Sequence, residues 1–573
     1  MAKSSVGSKG CRLALHALTV LASALGTLGV RAQTAPNLPN AGSLLQELKP
    51  AIDFTRPKVA SPLRLQAAPE LPLPETNPFV VRQIRITGNT LFDTTTLHAL
   101  VAPVEGQRLT LPELSDAIYA ITVFYRKADY PLARAVIPVQ TIDEGIVTVQ
   151  VIEARIGEVE LNNYSIVNTD FLRDTLAAVQ PGLMIHQFTI EDVLQLLLDV
   201  PGILPGVVMR PGQAVGTSDL VLEVQPGAGF NSDITLDNYG GRFTGRQRAA
   251  ANLQWYNPVH RGDTLGLSAL SSGNGLDFGR VSYEIPLTGR GPTLGGAVSS
   301  LNYALADSAL SLNAHGKAQQ NSVWLRNYLA RSTSWQVTAR LQHDASTLRD
   351  DVDSTGVFTD RQVKAWGLEI QAQGVDGVGG VGTSIASVGL HTGEVRFDNA
   401  AAQTADASSA QTQGNFSLVR LGIERNQALG TQSSLWVSFN GQWAQNNLDA
   451  SQKFSLGGAR SVRAYEPGVL SGDSGQLLSL ELRQNLPADG LIAGQWRAVL
   501  FVDAGRVRIN QSPWSNSDNE ATVSGAGVGL DWRGPSRWSA RFSIARALGS
   551  QALQLAGSDS SHLSAWLEMS KGF

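Results

Sequence analysis

A transmembrane β-barrel of about sixteen antiparallel strands is the fold class this sequence predicts, preceded by two β-α-α-β-β units and a short N-terminal helix. Three observations predict it. From about Gly227 to Phe573 apolar and polar residues alternate with period two. Between residues 79 and 226 the same order of strands and helices occurs twice, in units of about 75 residues. An apolar leader opens the chain, and no later run of about 18 or more apolar residues could cross a membrane as a helix. A membrane protein without such a run must close a barrel, because only helices and barrels satisfy every backbone polar group in lipid.

The leader occupies residues 1–32. Lys3, Lys9 and Arg12 form its positive end, Leu13 to Val30 its apolar core, and Val30 to Ala32 a small-residue site that places cleavage before Gln33. An uncleaved anchor is the competing reading, opposed by the polar residues that follow. The single cysteine, Cys11, lies inside this leader. The mature chain is therefore expected to have no disulfide, no thiol chemistry and no cysteine-bound metal. Net charge is −4 and charged residues are 16% of the chain, so no basic footprint points to nucleic acid. Glycine, at 57 residues of 573, fits a turn-rich β protein.

Residues 33–50 hold one short helix, predicted over Ser43 to Lys49. Ser43 stands as its cap and Gln46 at the capping-box position, while Leu44, Leu45 and Leu48 share a face and Pro50 ends it. A linker over 51–78 carries Pro57, Pro62, Pro69, Pro72, Pro74 and Pro78. Such a segment is semi-extended at roughly 3 Å per residue and could span on the order of 80 Å. A disordered tail has the same composition.

The first unit, 79–154, opens on the strand pattern of Phe79 to Asn89, followed by a short helix from Thr94 to Pro103. Thr110 and Glu113 form a capping box for a longer helix whose Leu111, Leu114, Ile118, Ile121 and Tyr125 fall on one face. Two strand patterns close the unit, Leu132 to Gln140 and Gly145 to Ala154. The second unit, 155–226, repeats the scheme. A strand spans Arg155 to Val167, a helix is capped by Asn168 or Thr169, and a second helix is capped by Thr189 with Asp192 at the box position. Strands over Gly206 to Gly212 and Ser218 to Gln225 complete it. Each unit exposes strand edges that can accept an extended peptide.

Residues 227–573 supply the barrel, at about 22 residues per strand and loop, ample for spanning strands of about 9–11 residues. Leu435, Val437, Phe439 and Trp443 alternate with Ser438, Asn440 and Gln442. Leu478, Leu480 and Leu482 alternate with Ser479, Glu481 and Arg483. Trp538, Ala540, Phe542 and Ile544 alternate with Ser539, Arg541 and Ser543. A soluble sandwich would show shorter segments. The chain ends on a strand in which Leu563, Ala565, Leu567 and Met569 lie in register with Phe573, and Lys571 can snorkel at the membrane edge. Met569 and Phe573 are the expected C-terminal signal for barrel assembly.

Motifs that imitate catalytic sites lack their context. Gly472 to Gly475 reads GDSG without the His and Asp setting of a protease. Gly377 to Gly382 reads GVGGVG without a following helix, and is better taken as a turn. The eight histidines form no metal pattern, so neither an enzyme nor a cofactor or metal site is expected. More informative is the strand FVDAGRV. Ala498, Leu500, Val502 and Ala504 should face lipid, which turns Arg497, Val499, Phe501 and Asp503 inward. A carboxylate facing a crowded lumen wants a partner, although a solvated lumen aspartate is a common alternative.

Together these residues carry a family likeness. The chain resembles the outer-membrane transporters of two-partner secretion, the TpsB or ShlB/FhaC/HecB type of haemolysin secretion/activation protein, within the BamA-related superfamily. The likeness covers nearly the whole mature chain: plug helix, proline-rich linker, two POTRA domains, barrel. Asp237 to Leu267 is similar to the family's barrel start, with Asn257-Pro258 leading to Gly262-Asp263. Ser282 to Leu287 resembles an early-strand signature. Val462, Arg463, Ala464 and Tyr465 correspond to the VRGY motif of the sixth extracellular loop, and Phe501 to Asp503 to an F-x-D motif. The resemblance implies that this loop folds into the lumen and that Arg463 pairs with Asp503. Ala464 departs from the family glycine. It would be strained if that glycine needs a positive φ, and tolerated if glycine only permits close approach.

The resemblance further implies a protein of the bacterial outer membrane with its POTRA domains in the periplasm. It would export, unfolded and without ATP, a large β-helical exoprotein such as a haemolysin or adhesin, and could thereby activate it. That partner would bind through the POTRA domains. Outer-membrane lipid and the barrel assembly machinery are the other expected partners. A BamA-like insertion factor is the alternative; a passive porin is opposed by the paired β-α-α-β-β units.

Overall fold

The computed structural model describes residues 38–49, 64–65, 77–306, 312–332, 334–487, 492–548 and 563–573. The predicted leader, 1–32, and most of the predicted linker lie outside the described residues.

Sixteen antiparallel strands close a barrel. They are β1 (Phe230–Asp237), β2 (Arg248–Tyr256), β3 (Thr264–Ser271), β4 (Leu276–Pro286), β5 (Thr293–Ala304), β6 (Ala314–Arg331), β7 (Trp335–Val352), β8 (Val357–Asp376), β9 (Gly382–Phe397), β10 (Gly414–Ala428), β11 (Ser433–Ala444), β12 (Ser474–Asn485), β13 (Gln495–Arg508), β14 (Glu520–Arg533), β15 (Trp538–Leu548) and β16 (Leu563–Gly572). Neighbours in sequence pair in order, and the seam joins β1 to β16 from Asp233↔Gly572 to Asp237↔Glu568. The alternation fixes which side chains face out. Leu500 is 54% exposed on the outer wall, while its neighbours Phe501 and Val499 are buried inside. On β16, Leu563, Leu567, Met569 and Phe573 are all exposed on one face. The Lys571 ammonium lies 5.8 Å from the Trp538 ring and 4.8 Å from that of Phe573. Gly377 to Val381 is the turn between β8 and β9.

The first β-α-α-β-β unit packs helices Thr94–Val101 and Leu111–Lys127 on a three-stranded sheet, in which Ile146–Ile152 lies between Gln83–Thr87 and Arg134–Val136. Thr110 and Glu113 bond each other's backbone N–H groups as a capping box, and those bonds hold the Glu113 carboxyl below its ordinary value. Leu114, Ile118, Ile121 and Tyr125 are buried, whereas Leu111 sits at the half-exposed start of the helix.

The second unit has helices Thr169–Thr175 and Gln187–Asp199. Asn168 is the cap of the first, bonding the N–H groups of Asp170 and Phe171. The second helix starts three residues earlier than predicted. His186 occupies its cap position without a side-chain bond, so Thr189 is not a cap and Asp192 is not part of a capping box. Asp192 is drawn instead to arginines of the barrel, described below. In this unit's sheet Ile203–Pro211 pairs with Thr217–Pro226, which pairs with Arg155–Asn163. The other edge of Ile203–Pro211 is taken by the linker itself: Arg64–Leu65 lies parallel to Val208 and Met209. That edge is therefore occupied over two residues rather than free.

The N-terminal helix, α1, spans Ala41–Glu47. Asn40, not Ser43, is its cap. The Asn40 side chain accepts from Ser43 N–H, and the Asn40 N–H donates to the Ser43 hydroxyl. Asn caps as well as Ser, and with Asn40 at the cap Ser43 closes the box from inside the first turn.

Candidate functional site: a pore with two insertions

The loop between β11 and β12 turns back into the barrel. Its short hairpin, Phe454–Leu456 with Leu470–Gly472, carries the segment Val462 to Tyr465 to the inner wall. Arg463 meets Asp503 of β13 in a two-pronged pair: Nε donates to Oδ2 and Nη2 to Oδ1, each at 2.8 Å. The Arg463 backbone N–H donates to the same carboxylate at 3.2 Å. The third guanidinium nitrogen, Nη1, reaches Glu481 of β12 at 2.6 Å. The guanidinium lies 3.4 Å from the centre of the Phe501 ring. Asp503 is fully buried. Planar, forked recognition of carboxylates is the chemistry that arginine supplies and lysine does not.

The loop backbone is held as well. Trp566 of β16 donates to the Arg463 carbonyl at 2.6 Å, Ser564 to that of Ala464 at 2.9 Å, and Tyr465 donates to the Ser524 carbonyl at 3.3 Å. Ala464 is not among the residues with positive φ. Its methyl lies so close to β14 that a Cβ built on Gly525 would come within 2.5 Å of it. The geometry thus favours close approach over strain: the methyl at position 464 is accommodated by the missing side chain at 525. Glu481, Trp566 and Ser564 were not singled out from sequence as loop contacts. The period-two pattern placed Glu481 on an inner face, but only register puts it beside Arg463. In the GDSG segment, Asp473 is fully buried and accepts from the N–H groups of Leu448 and Gln511, a structural role inside the loop.

The second insertion is α1. Leu44 and Leu45 are buried among wall residues that include Leu301, Leu348 and Val363, with Leu48 packed at the margin. The helix's first N–H, that of Ala41, donates to Asp350 of β7 at 2.7 Å, which sets a negative charge at a helix N-terminus. Asp350 also accepts from the Tyr303 hydroxyl at 2.6 Å and pairs with Arg361 at 2.6 Å, and Arg361 pairs in turn with buried Asp449 at 2.6 Å. Gly42 permits this seat, since a Cβ there would lie 2.8 Å from Ser451 N. At the other end Glu47 touches Arg248 at 3.3 Å, itself paired with Asp237 at 2.9 Å.

The second unit is docked on the barrel's near turns. The turn from Asn257 to Asp263 is built by the fully buried Asp263, which accepts from the N–H groups of Val259 and Arg261 and from the Tyr283 hydroxyl. Asn257 donates to the Pro201 carbonyl at 2.6 Å, and Asn168 N–H to the His260 carbonyl at 2.8 Å. Arg290 pairs with Asp192 at 2.6 Å, and Arg331 with Asp199 at 3.0 Å. These contacts place the second unit at the mouth opposite the inserted loop's origin.

Comparisons with known proteins agree with this architecture. The model of the haemolysin secretion/activation protein family ShlB/FhaC/HecB matches residues 216–532, and that of the ShlB-type POTRA domain matches residues 79–154. The chain is 27% identical to the heme/hemopexin transporter protein HuxB of Haemophilus influenzae over 556 residues, covering 92% of this chain and 95% of that one. It is 24% identical to the outer membrane transporter CdiB of Escherichia coli over 496 residues, covering 82% and 79%. Among solved structures, CdiB from Escherichia coli matches with a TM-score of 0.67 at 18% identity over 100% of both chains. BamA from Haemophilus ducreyi lacking POTRA domains 1–3 matches with a TM-score of 0.52 at 15% identity, over 86% of this chain and 100% of that one.

Proposed function

The chain belongs to the haemolysin secretion/activation family ShlB/FhaC/HecB and is an outer-membrane transporter of two-partner secretion, and from that premise we propose how its parts divide the work. The inserted loop is a fixed part of the pore wall. The helix α1 is a plug that leaves. The β-α-α-β-β units receive the exoprotein.

The observation that carries this reading is that one lumen holds two insertions fastened in different ways. Arg463 is gripped by two carboxylates, an aromatic ring and three further wall contacts to its loop. The plug is tied at its ends by Asp350 and Arg248, and continues into a linker long enough to let it travel. An incoming extended segment would add to a sheet edge of the units, displacing Arg64–Leu65 where it uses Ile203–Pro211. Folding of the exoprotein outside would then bias its movement outward. Met569 and Phe573, exposed on the last strand, would be read by the assembly machinery during biogenesis. The proposed domain limits follow the sequence: 33–50, 51–78, 79–154, 155–226 and 227–573.

Culture supernatants with and without the protein test the function. Loss of one large polypeptide supports secretion of a dedicated partner. Broad loss of outer-membrane proteins supports a BamA-like insertion factor instead. For the plug, deletion of residues 33–50 should raise conductance in planar bilayers; unchanged conductance contradicts it.

A further inference from the structure

One rung of the barrel wall carries an unusual run of charge. Strand pairing sets Arg326 of β6 directly opposite Arg340 of β7, Arg340 opposite Glu369 of β8, Glu369 opposite Gly389 of β9, and Gly389 opposite Arg420 of β10. Their outward neighbours fix the direction: Leu325, Leu341, Leu368 and Val419 are exposed on the lipid side, so the charged residues face the lumen. Three arginines thus share a rung with one carboxylate. Two of them stand directly opposite each other, an arrangement that destabilises a sheet unless something compensates it.

The compensation inside the protein is incomplete. Among the described residues Arg340 and Arg420 form no ion pair within 4.0 Å, and Arg326 reaches only Glu284, at 3.7 Å. Arg340 stacks its guanidinium 4.5 Å from the Trp324 ring, and Arg420 donates Nε to Gln442. Each arginine still keeps a solvent-shielded nitrogen without an acceptor: Nε of Arg326, Nε of Arg340 and Nη2 of Arg420. A shielded guanidinium N–H without an acceptor is costly, and its natural complement is an anionic oxygen. The end of the plug brings Lys49 within Coulombic reach of Arg420, and the Asp344 carboxylate lies within the same reach of Lys49, Arg340 and Arg420 without forming an ion pair to any of them.

The position matters too. Arg340 is near the POTRA-side start of β7, and Asp350, which holds the plug, is nearer the outer end. A chain entering from the POTRA side meets the arginine rung before the plug's seat.

We propose that Arg326, Arg340 and Arg420 form an anion-binding rung in the lumen, which receives carboxylate side chains of an extended polypeptide entering the pore. The binding of anions stands on the wall alone; its use on an exported chain rests on the transport reading above. Rings of charged side chains set the preference of a pore for ions of opposite sign.

The full-length protein in planar bilayers under a KCl gradient tests the rung through its own open events. Chloride should be more permeant than potassium. In Arg340→Gln/Arg420→Gln the chloride-to-potassium ratio should fall by roughly twofold or more, and Arg340→Lys/Arg420→Lys should retain it. A short poly-glutamate added on the POTRA side should block the wild-type current more than poly-lysine of equal length. Potassium preference in the wild type, an unchanged ratio in the glutamine variant, or equal block by poly-lysine overturns the proposal. Should the glutamine variant fail to insert, the wild-type selectivity and the peptide block still decide. Absence of secretion alongside chloride preference would count against the transport reading and leave the rung in place.

Discussion

The inserted loop and the plug helix occupy one lumen, yet they are fastened by different chemistry. The loop tip presents a single arginine whose donors are taken up by Asp503 and Glu481, with Phe501 beneath it. Removing any one partner leaves buried charge behind. The plug presents apolar side chains and the end of a helix, and its main charged contact, Asp350, already satisfies Arg361 and Tyr303 without it. When α1 departs, the wall network keeps its internal pairs. When Arg463 departs, Asp503 loses its counter-charge. The fold can therefore release α1 at lower cost than the loop.

The largest predicted effect comes from breaking the costly side. Arg463→Ala leaves the fully buried Asp503 without its counter-charge, while Glu481 keeps Arg483, and loss of one member of a buried pair costs about 3–5 kcal/mol. Secretion should fail, and the barrel should unfold at a lower temperature in heat-modifiability gels. Arg463→Lys should recover little, because an ammonium cannot span both Asp503 oxygens.

Next comes the plug. Asp350→Asn keeps the shape of the site but removes the charge at the helix N-terminus. A hydrogen bond to a charged group contributes about 1.5–3 kcal/mol against about 0.5–1.5 for the neutral bond Asn retains, so the open fraction should rise on the order of 5- to 10-fold. Single-channel recording reads this, and secretion should persist. Unchanged open probability would equate the two insertions and remove the contrast.

A smaller effect sharpens the loop's side. Gly525→Ala places a methyl against that of Ala464, an overpacking that typically costs about 1–3 kcal/mol. Ala464→Gly in the same chain should restore the heat stability of the barrel. Failure of that rescue would mean the methyl at 464 is held by something other than the space at 525.

The smallest effect lies outside the membrane. In the first POTRA unit Glu153 accepts from the N–H groups of Thr90 and Leu91 and from the Tyr125 hydroxyl. Burial raises its carboxyl's pKa, but these bonds outweigh burial and hold it below the ordinary 4.5. The stability it adds is present above 4.5 and is lost as pH falls through the lowered value. Hydrogen-exchange protection near Thr90, relative to the intrinsic rate at each pH, should therefore fall below pH 4.5 in the wild type, and Glu153→Gln should show the lower protection already at neutral pH.

The two insertions also differed in how far sequence revealed them. VRAY and FVD are short local motifs; alternation turned Asp503 inward, and the family resemblance supplied its pairing with Arg463. The plug's helix was legible from Leu44, Leu45 and Leu48, but its seat was not. Asp350, Arg361 and Asp449 lie on different elements and meet only through register. Two helix starts were misplaced: Asn40, in a local box with Ser43, caps where Ser43 was expected, and Asp192 serves Arg290 of the barrel rather than its own helix. The arginine rung was likewise hidden, because its members are more than ten residues apart in sequence and neighbours only once the strands pair.

Site-specific labelling compares the two insertions most directly. Cys11 is the only cysteine of the chain, so a Cys11→Ser background accepts single probes cleanly. Leu45→Cys reports on the plug and Val462→Cys on the loop, both at positions buried in the lumen. A membrane-impermeant maleimide is applied to cells with and without the exported partner. Labelling at 45 should rise during secretion while labelling at 462 stays low. Labelling that rises at 462 and not at 45 would contradict a released plug and a fixed loop.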